Sequence, residues 1–368
     1  MSTFFPLFAR DLHFAGHCGI LAGPQTTADC NLQGGQQGVK EHRADWMSEG
    51  VLGLMVHYLV GPSGDPTDEK VAEYNALIDG FDLDAFIGGF EATGANWLIF
   101  TFGQNSGYYC SPNAFLDAAA PRHTSRRDLM REVGERLKEI GKRLIAYIPA
   151  EVAAQTDEIR GLFHYNDDWE LFQDRYGHFI RDYSVRLGPL LDGWWFDGCY
   201  YKVHGERTDW RRWCENARAG NPGSVVALNE GGFCDGKTVP PSPFADYHAG
   251  EVHMLERGKI RMDFLPRDAE ITTNEHGYHR AVGAPEPELY LPESRFLHEL
   301  QWHALVPVDC TFNPPTPDVH YSDEELITFV RNCKDAGGAV TFNLPITSRG
   351  IMPEKSVRQI GRVRDATA

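Results

Sequence analysis

No stretch of this sequence approaches the roughly 18 consecutive apolar residues that cross a bilayer, and the opening MSTFFPLFARDLHFAGHC lacks a basic start followed by a long apolar core. Neither a membrane span nor a secretion signal is therefore expected, and the reading is a cytoplasmic protein. The eight cysteines, at positions 18, 30, 110, 199, 214, 234, 310 and 333, include no CxxC pair and no short repeated spacing. That removes a zinc ribbon and a disulfide scaffold. Positive charge is scarce: 35 Lys and Arg stand against 52 Asp and Glu, a formal net charge of −17. Basic residues are not concentrated anywhere, so a surface that tracks nucleic-acid phosphates is excluded. No GxGxxG follows the first strand-like run and no Walker loop is present, which removes the usual marks of dinucleotide and nucleotide folds. Internal repeats and low-complexity tracts are also missing.

What is present is an ordinary globular composition, 368 residues with 42% hydrophobic and 12% aromatic content, enough to bury one large core. Short apolar runs alternate with amphipathic segments. GVLGLMVHYLV (50–60), ANWLIFTF (95–102), RLIAYIPAE (143–151), LLDGWWFDG (190–198) and GSVVALNEGG (223–232) read as strands, and PFADYHAGE, ELQWHALVPVDCTFN and GGAVTFNLPI follow later. Between them lie helix patterns, clearest at 124–142, where Leu129, Val133, Leu137 and Ile140 share a face. Seven or eight βα units suit a closed (β/α)8 TIM-like barrel, a single catalytic domain over 50–368 with residues 1–49 as an N-terminal extension packed on it.

Polar residues gather at the ends of these runs, and the stretch GPLLDGWWFDGCYYK ends its apolar run on Asp197. A carboxylate gains nothing inside a buried strand, so it is expected at the strand's C-terminal end, where α/β folds place their chemistry. His57, Gln104 and Asn105, Tyr147 with Glu151, Asn229 with Glu230, Asp246 with His248 and Glu251, Trp302 with His303, and Asn343 sit at the other ends. Carboxylates and amides can clamp hydroxyls while aromatic faces cover a pyranose, so this ring suits a carbohydrate. Glycoside cleavage further requires two carboxyl groups. Of Trp194, Trp195 and Phe196, at most one, Trp195, is expected to line the pocket.

The order GLMVHY, GANWLIF, LIAYIP, DGWWFDG, DYHAGE and GGAVTFNLPITSRGIMP resembles the α-L-fucosidases of glycoside hydrolase family 29 over roughly residues 50–360. The resemblance implies a barrel, a retaining hydrolysis through a covalent glycosyl-enzyme, and no cofactor. By position Asp197 matches the family's nucleophile and His57 its sugar-binding histidine. Glu251 matches a glutamate after the Asp-Tyr strand and is the first choice for acid/base. Glu230 is its rival, with Glu275 and Glu299 behind. Three departures stand out. FGQNSGY replaces Lys-His-His-Asp-Gly-Phe, putting Gln104 and Asn105 where two histidines hold sugar hydroxyls. Tyr58 replaces a tryptophan, and the chain stops soon after the last barrel unit, where the family usually continues into a β-sandwich. A sugar other than plain α-L-fucose, or an unusual aglycone, follows as an expectation. Two other readings compete. DYHAGEVH offers Asp246, His248, Glu251 and His253, which with His57 would make a metal-dependent hydrolase of amidohydrolase-like barrel type, although no His-x-His marks the first strand. The altered GQNSGY segment would suit a carbohydrate-binding barrel that has lost catalysis.

Overall fold

The computed structural model describes residues 41–368, apart from 231–240, 253, 263–270, 274–278, 282–287 and 310–320. Most of the expected N-terminal extension, Glu275 and His253 therefore lie outside the described residues. Seven parallel strands form one curled sheet: β1 (Leu52–Val56), β2 (Trp97–Thr101), β3 (Arg143–Pro149), β4 (Gly193–Asp197), β5 (Val225–Leu228), β6 (His303–Pro307) and β7 (Ala339–Leu344). Their order is β6-β7-β1-β2-β3-β4-β5, the TIM-like α/β architecture expected. Strands are shorter than the apolar runs, because the last residues of each run turn outward into the loops that carry the polar groups. Helices follow the strands, and the side chains of Thr67, Asp82, Asp128, Thr156, Asp168, Asp209 and Ser322 each accept a backbone N–H at a helix start. The helix expected over 124–142 runs Leu129–Glu139, since Asp128 caps it. No helix among the described residues is long and apolar enough to cross a membrane.

Burial divides the strand residues by parity. Met55, Trp97, Ile99, Ile145, Tyr147, Trp195, Val225, Ala227, Leu305 and Ala339 make one buried cluster inside the barrel. Leu54, Val56, Leu98, Phe100, Leu144, Ala146, Trp194, Phe196, Val226, Ala304, Val306, Val340 and Phe342 make another, between sheet and helices. Along each strand inward and outward residues alternate, as a period of two requires, and in this chain the inward ones are odd-numbered on every strand. Gly53 also faces inward, and it admits the Trp97 indole: a Cβ there would lie 2.0 Å from Nε1. That indole donates to Thr341 Oγ1 at 2.8 Å. Below it Met47 and Ala44 join the inner cluster and Trp46 packs edge-on at 5.6 Å, closing the barrel at its N-terminal end.

The stretch read as a strand at PFADYHAGE is irregular, and it fills the place between β5 and β6. Asp246 N donates to Val226 O at 2.8 Å on one side. On the other, bridges pair Tyr247 with Gln301 and Glu251 with Leu305. Gly250 bends this stretch with φ +67°, and a Cβ there would lie 2.0 Å from the His303 carbonyl oxygen, a backbone atom that cannot swing away. Gly250→Ala is expected to cost at least ~2 kcal/mol of stability from left-handed strain plus overlap, read as a lower urea midpoint. No change in that midpoint would mean the bend is not needed.

Candidate active site

Parity decides which polar residues meet. His57, Tyr147, Trp195, Asp197, Asn229 and Asn343 carry inward parity on the regular strands or just past their ends, and the bend at Gly250 brings Glu251 to the same mouth. A pocket of about 310 Å³ lies there, lined by His57, Leu59, Gln104, Trp195, Asp197, Glu251 and Leu305. Its volume is at the small end for ligand sites and suits one sugar ring.

Asp197, the last residue of β4, is held from three directions. Its Oδ1 accepts from Asn229 Nδ2 at 2.9 Å; its Oδ2 accepts from the Tyr147 hydroxyl and from Gln104 Nε2, the latter at 3.3 Å. These donors are neutral, so they fix and spread the carboxylate's charge without cancelling it. Tyr147 is clamped between Trp195, stacked at 5.2 Å, and the edge of His57 at 5.4 Å. Burial, then the Asp197 charge, pushes its phenol well above the usual range, so it stays a donor.

Glu251 accepts from the same Asn229 nitrogen, at 2.7 Å. One amide thus spans both carboxyl groups, one N–H to each. Burial first and the Asp197 charge second raise the Glu251 carboxyl to about 7, against the opposing Asn229 hydrogen bond. His57 faces Asn343 Oδ1 through Nδ1 at 2.9 Å. Burial lowers its pKa despite Asn343 and Asp197, so the imidazole is neutral at pH 7, with Nδ1 donating to the Asn343 oxygen and a lone pair on Nε2.

Other sequence candidates fall elsewhere. Tyr58 points outward, buried against Phe81 and Phe100, with its hydroxyl donating to Ser348 O. Trp302 is likewise in the outer cluster. Asp246 takes Arg43 and Arg218 and accepts from Val226 N, pinning the irregular stretch to β5. His248 bonds Leu297 O through Nε2. Asp246 and His248 have the wrong parity to join Glu251, and among the described residues no group of three His, Cys, Asp or Glu could hold a metal ion. Asn105 is exposed and lines a neighbouring groove rather than the pocket. Glu230, one residue past Asn229, is half-buried but not part of the pocket lining, and Glu299 is exposed. Glu151 accepts from Tyr165 at 2.7 Å. His303 is buried under the site on Thr341 and the 248–249 carbonyls. Sequence reasoning missed Leu59 and Leu305, which carry no polar signal, and Tyr200. Burial, then the charges of Asp197, Glu251 and Glu151, raise the Tyr200 phenol. Its place three residues after Asp197 was the available signal.

No known protein-family profile matches the chain, and no curated protein sequence does. Solved structures do resemble it. The endo-fucoidan hydrolase P5AFcnA of glycoside hydrolase family 107 aligns with TM-score 0.58 at 17% identity over 89% of this chain and 94% of that one. Alpha-L-fucosidase isoenzyme 1 from Paenibacillus thiaminolyticus aligns with TM-score 0.56 at 18% identity, over 87% and 74%. Against another family 107 endo-fucoidan hydrolase, MfFcnA4, the values are 0.56 and 15%, and the chain spans about half of that protein, 53%. These likenesses establish the barrel fold. Endo-fucoidan hydrolases and α-L-fucosidases share it alike, so the fold does not select family 29.

Proposed function

We propose that this protein is a glycoside hydrolase acting on an α-L-fucoside or a configurationally related sugar, with retention. The observation that carries this reading is the Asn229 amide between Asp197 and Glu251. The two oxygens it binds lie no further apart than hydrogen bonds of 2.9 and 2.7 Å laid end to end. This supports the roughly 5–5.5 Å pair of a retaining enzyme over the roughly 6.5–9.5 Å of an inverting one. The endo-fucoidan hydrolases and α-L-fucosidases among the structural neighbours support a fucose-acting glycosidase.

Asp197 attacks the anomeric carbon, the bond from that carbon to the leaving oxygen breaks, and Glu251 gives its proton to that oxygen. A carboxyl with pKa near 7 holds that proton at neutral pH while remaining acidic enough to transfer it. Once Asp197 is an ester its charge is gone, and with it one of the two causes that raise Glu251. Glu251 then takes a proton from water, the water oxygen bonds the anomeric carbon, and the ester to Asp197 breaks. His57 and Gln104 offer acceptors and donors to ring hydroxyls, and Trp195 forms an apolar wall.

Tyr147→Phe keeps the stacking and removes the hydroxyl from Asp197. A hydrogen bond to a charged group contributes about 1.5–3 kcal/mol, so kcat/KM on an aryl fucoside is expected to drop roughly 10- to 150-fold. An unchanged kcat/KM would remove Tyr147 from the reaction. The reading as a whole is tested by turnover of a panel of aryl glycosides, led by 4-nitrophenyl α-L-fucoside and its galactose-configured relatives. No turnover of any member, with no sugar bound, would overturn it.

A further inference from the structure

Beside the pocket lies a groove of about 600 Å³ built from the loops after β1, β2 and β3; Ser63, Asp65, Asn105, Ser106, Gln155 and Arg160 are among its walls. Two chain segments carry its lining into that of the pocket. Leu59 lines the pocket and Gly61 the groove, while Gln104 lines the pocket and Asn105 the groove. Its walls are tied to one another: Asp65 accepts from Glu158 N at 3.0 Å, and His123 joins Gly107 O and Glu158 at 2.8 and 3.2 Å. Such a groove is preorganised for a ligand. Its formal charges nearly cancel, since Arg160 is paired with Asp157, so an uncharged, hydroxyl-rich guest fits. Gln155 is 4% exposed and takes the Tyr109 hydroxyl on Oε1 at 3.0 Å, while its Nε2 has no partner among the described residues.

The groove's position says which part of a substrate it holds. Around the barrel the order is β1, β2, β3, β4, β5, the 246–252 stretch, β6 and β7. Glu251 therefore stands directly across the mouth from β2, at the centre of the groove's three loops. A proton donor must stand beside the glycosidic oxygen, so the leaving group departs on the Glu251 side. Whatever occupies the groove is attached to the other side of the cleaved sugar.

Resting on the hydrolase reading above, we infer that this groove binds a second sugar joined to a ring hydroxyl of the cleaved residue, so that the substrate is an oligosaccharide rather than a lone terminal sugar. The probes are 4-nitrophenyl α-L-fucoside and the 4-nitrophenyl glycosides of α-1,2-, α-1,3- and α-1,4-linked fucosyl-fucose. Expected is a kcat/KM for one disaccharide about tenfold or more above the monosaccharide, with Ser63→Trp, which fills the groove from an exposed position, bringing that ratio close to one. Calorimetric titration of Asp197→Ala with the same compounds should give the same order of Kd. Turnover with a ratio near one in wild type overturns the groove and leaves the hydrolase. No turnover, but tighter disaccharide binding abolished by Ser63→Trp, overturns the hydrolase and keeps the groove. No turnover and no difference in binding overturns both.

Discussion

Asp197→Ala is expected to lower kcat/KM on 4-nitrophenyl α-L-fucoside by about 10⁴-fold or more, a rise of roughly 5.5 kcal/mol in the barrier. On the proposed mechanism the loss is large because the side chain forms and breaks the bond itself, and the surrounding donors, Asn229, Tyr147 and Gln104, then have no carboxylate to orient. Azide is small enough to occupy the vacated space and attack the anomeric carbon from the same face. Its product would be a glycosyl azide of inverted configuration, identified by nuclear magnetic resonance. Rescue with retained configuration, or an active variant without azide, would assign the nucleophile elsewhere.

Glu251→Gln removes the proton donor and is expected to cost about 10²- to 10⁴-fold, least for nitrophenyl leaving groups that hardly need a proton. In wild type kcat/KM should fall as pH rises through about 7, where Glu251 loses the proton it must give, and the variant should lack that limb. The stability contributed by this group should fall over the same rise in pH. The folded value of Glu251, about 7, lies above its unfolded value, so the group's contribution is fully present below about 4.5 and is lost as pH rises through 7. At pH 8 wild type must hold an ionised Glu251 beside Asp197, and glutamine need not. Allowing for the part of Glu251 that faces the open pocket, the variant should be more stable at pH 8 by on the order of 2 kcal/mol, the gain shrinking toward pH 4. Urea midpoints at pH 4, 6 and 8 measure this. A variant equally destabilised at all three would mean Glu251 is a structural residue.

The βα alternation was readable because strands buried on both faces are continuous apolar runs, and LLDGWWFDG could hardly be anything else. So was the ring of strand-end polar groups. What chemical type alone could not sort was direction. Tyr58 and His57 are neighbours with equal claims as sugar ligands, yet one odd and one even number send them to opposite sides of the sheet. The same rule separates Glu251 from Asp246 and His248. Counting back from Asp197 sorts its own strand, with Trp195 inward and Trp194 and Phe196 outward, but alternation does not carry across loops, and the bend at Gly250 was not foreseen. The groove was not legible either, because it is assembled from three loops far apart in sequence, and Asn105 belongs to it only by position.

The plug of Trp97, Trp46 and Met47 makes the barrel a cul-de-sac, and this governs traffic through it. Among the described residues the pocket is closed from below, and traffic uses the side at the C-terminal ends of the strands. On the proposed mechanism the water of the second step attacks beside Glu251, where the leaving group departs, so a slow-departing aglycone blocks its own replacement. While it lingers, the sugar ester on Asp197 can be handed back to it. Alcohols supplied at high concentration would compete for that same doorway, and the ratio of transfer product to free sugar would report how long the door stays occupied.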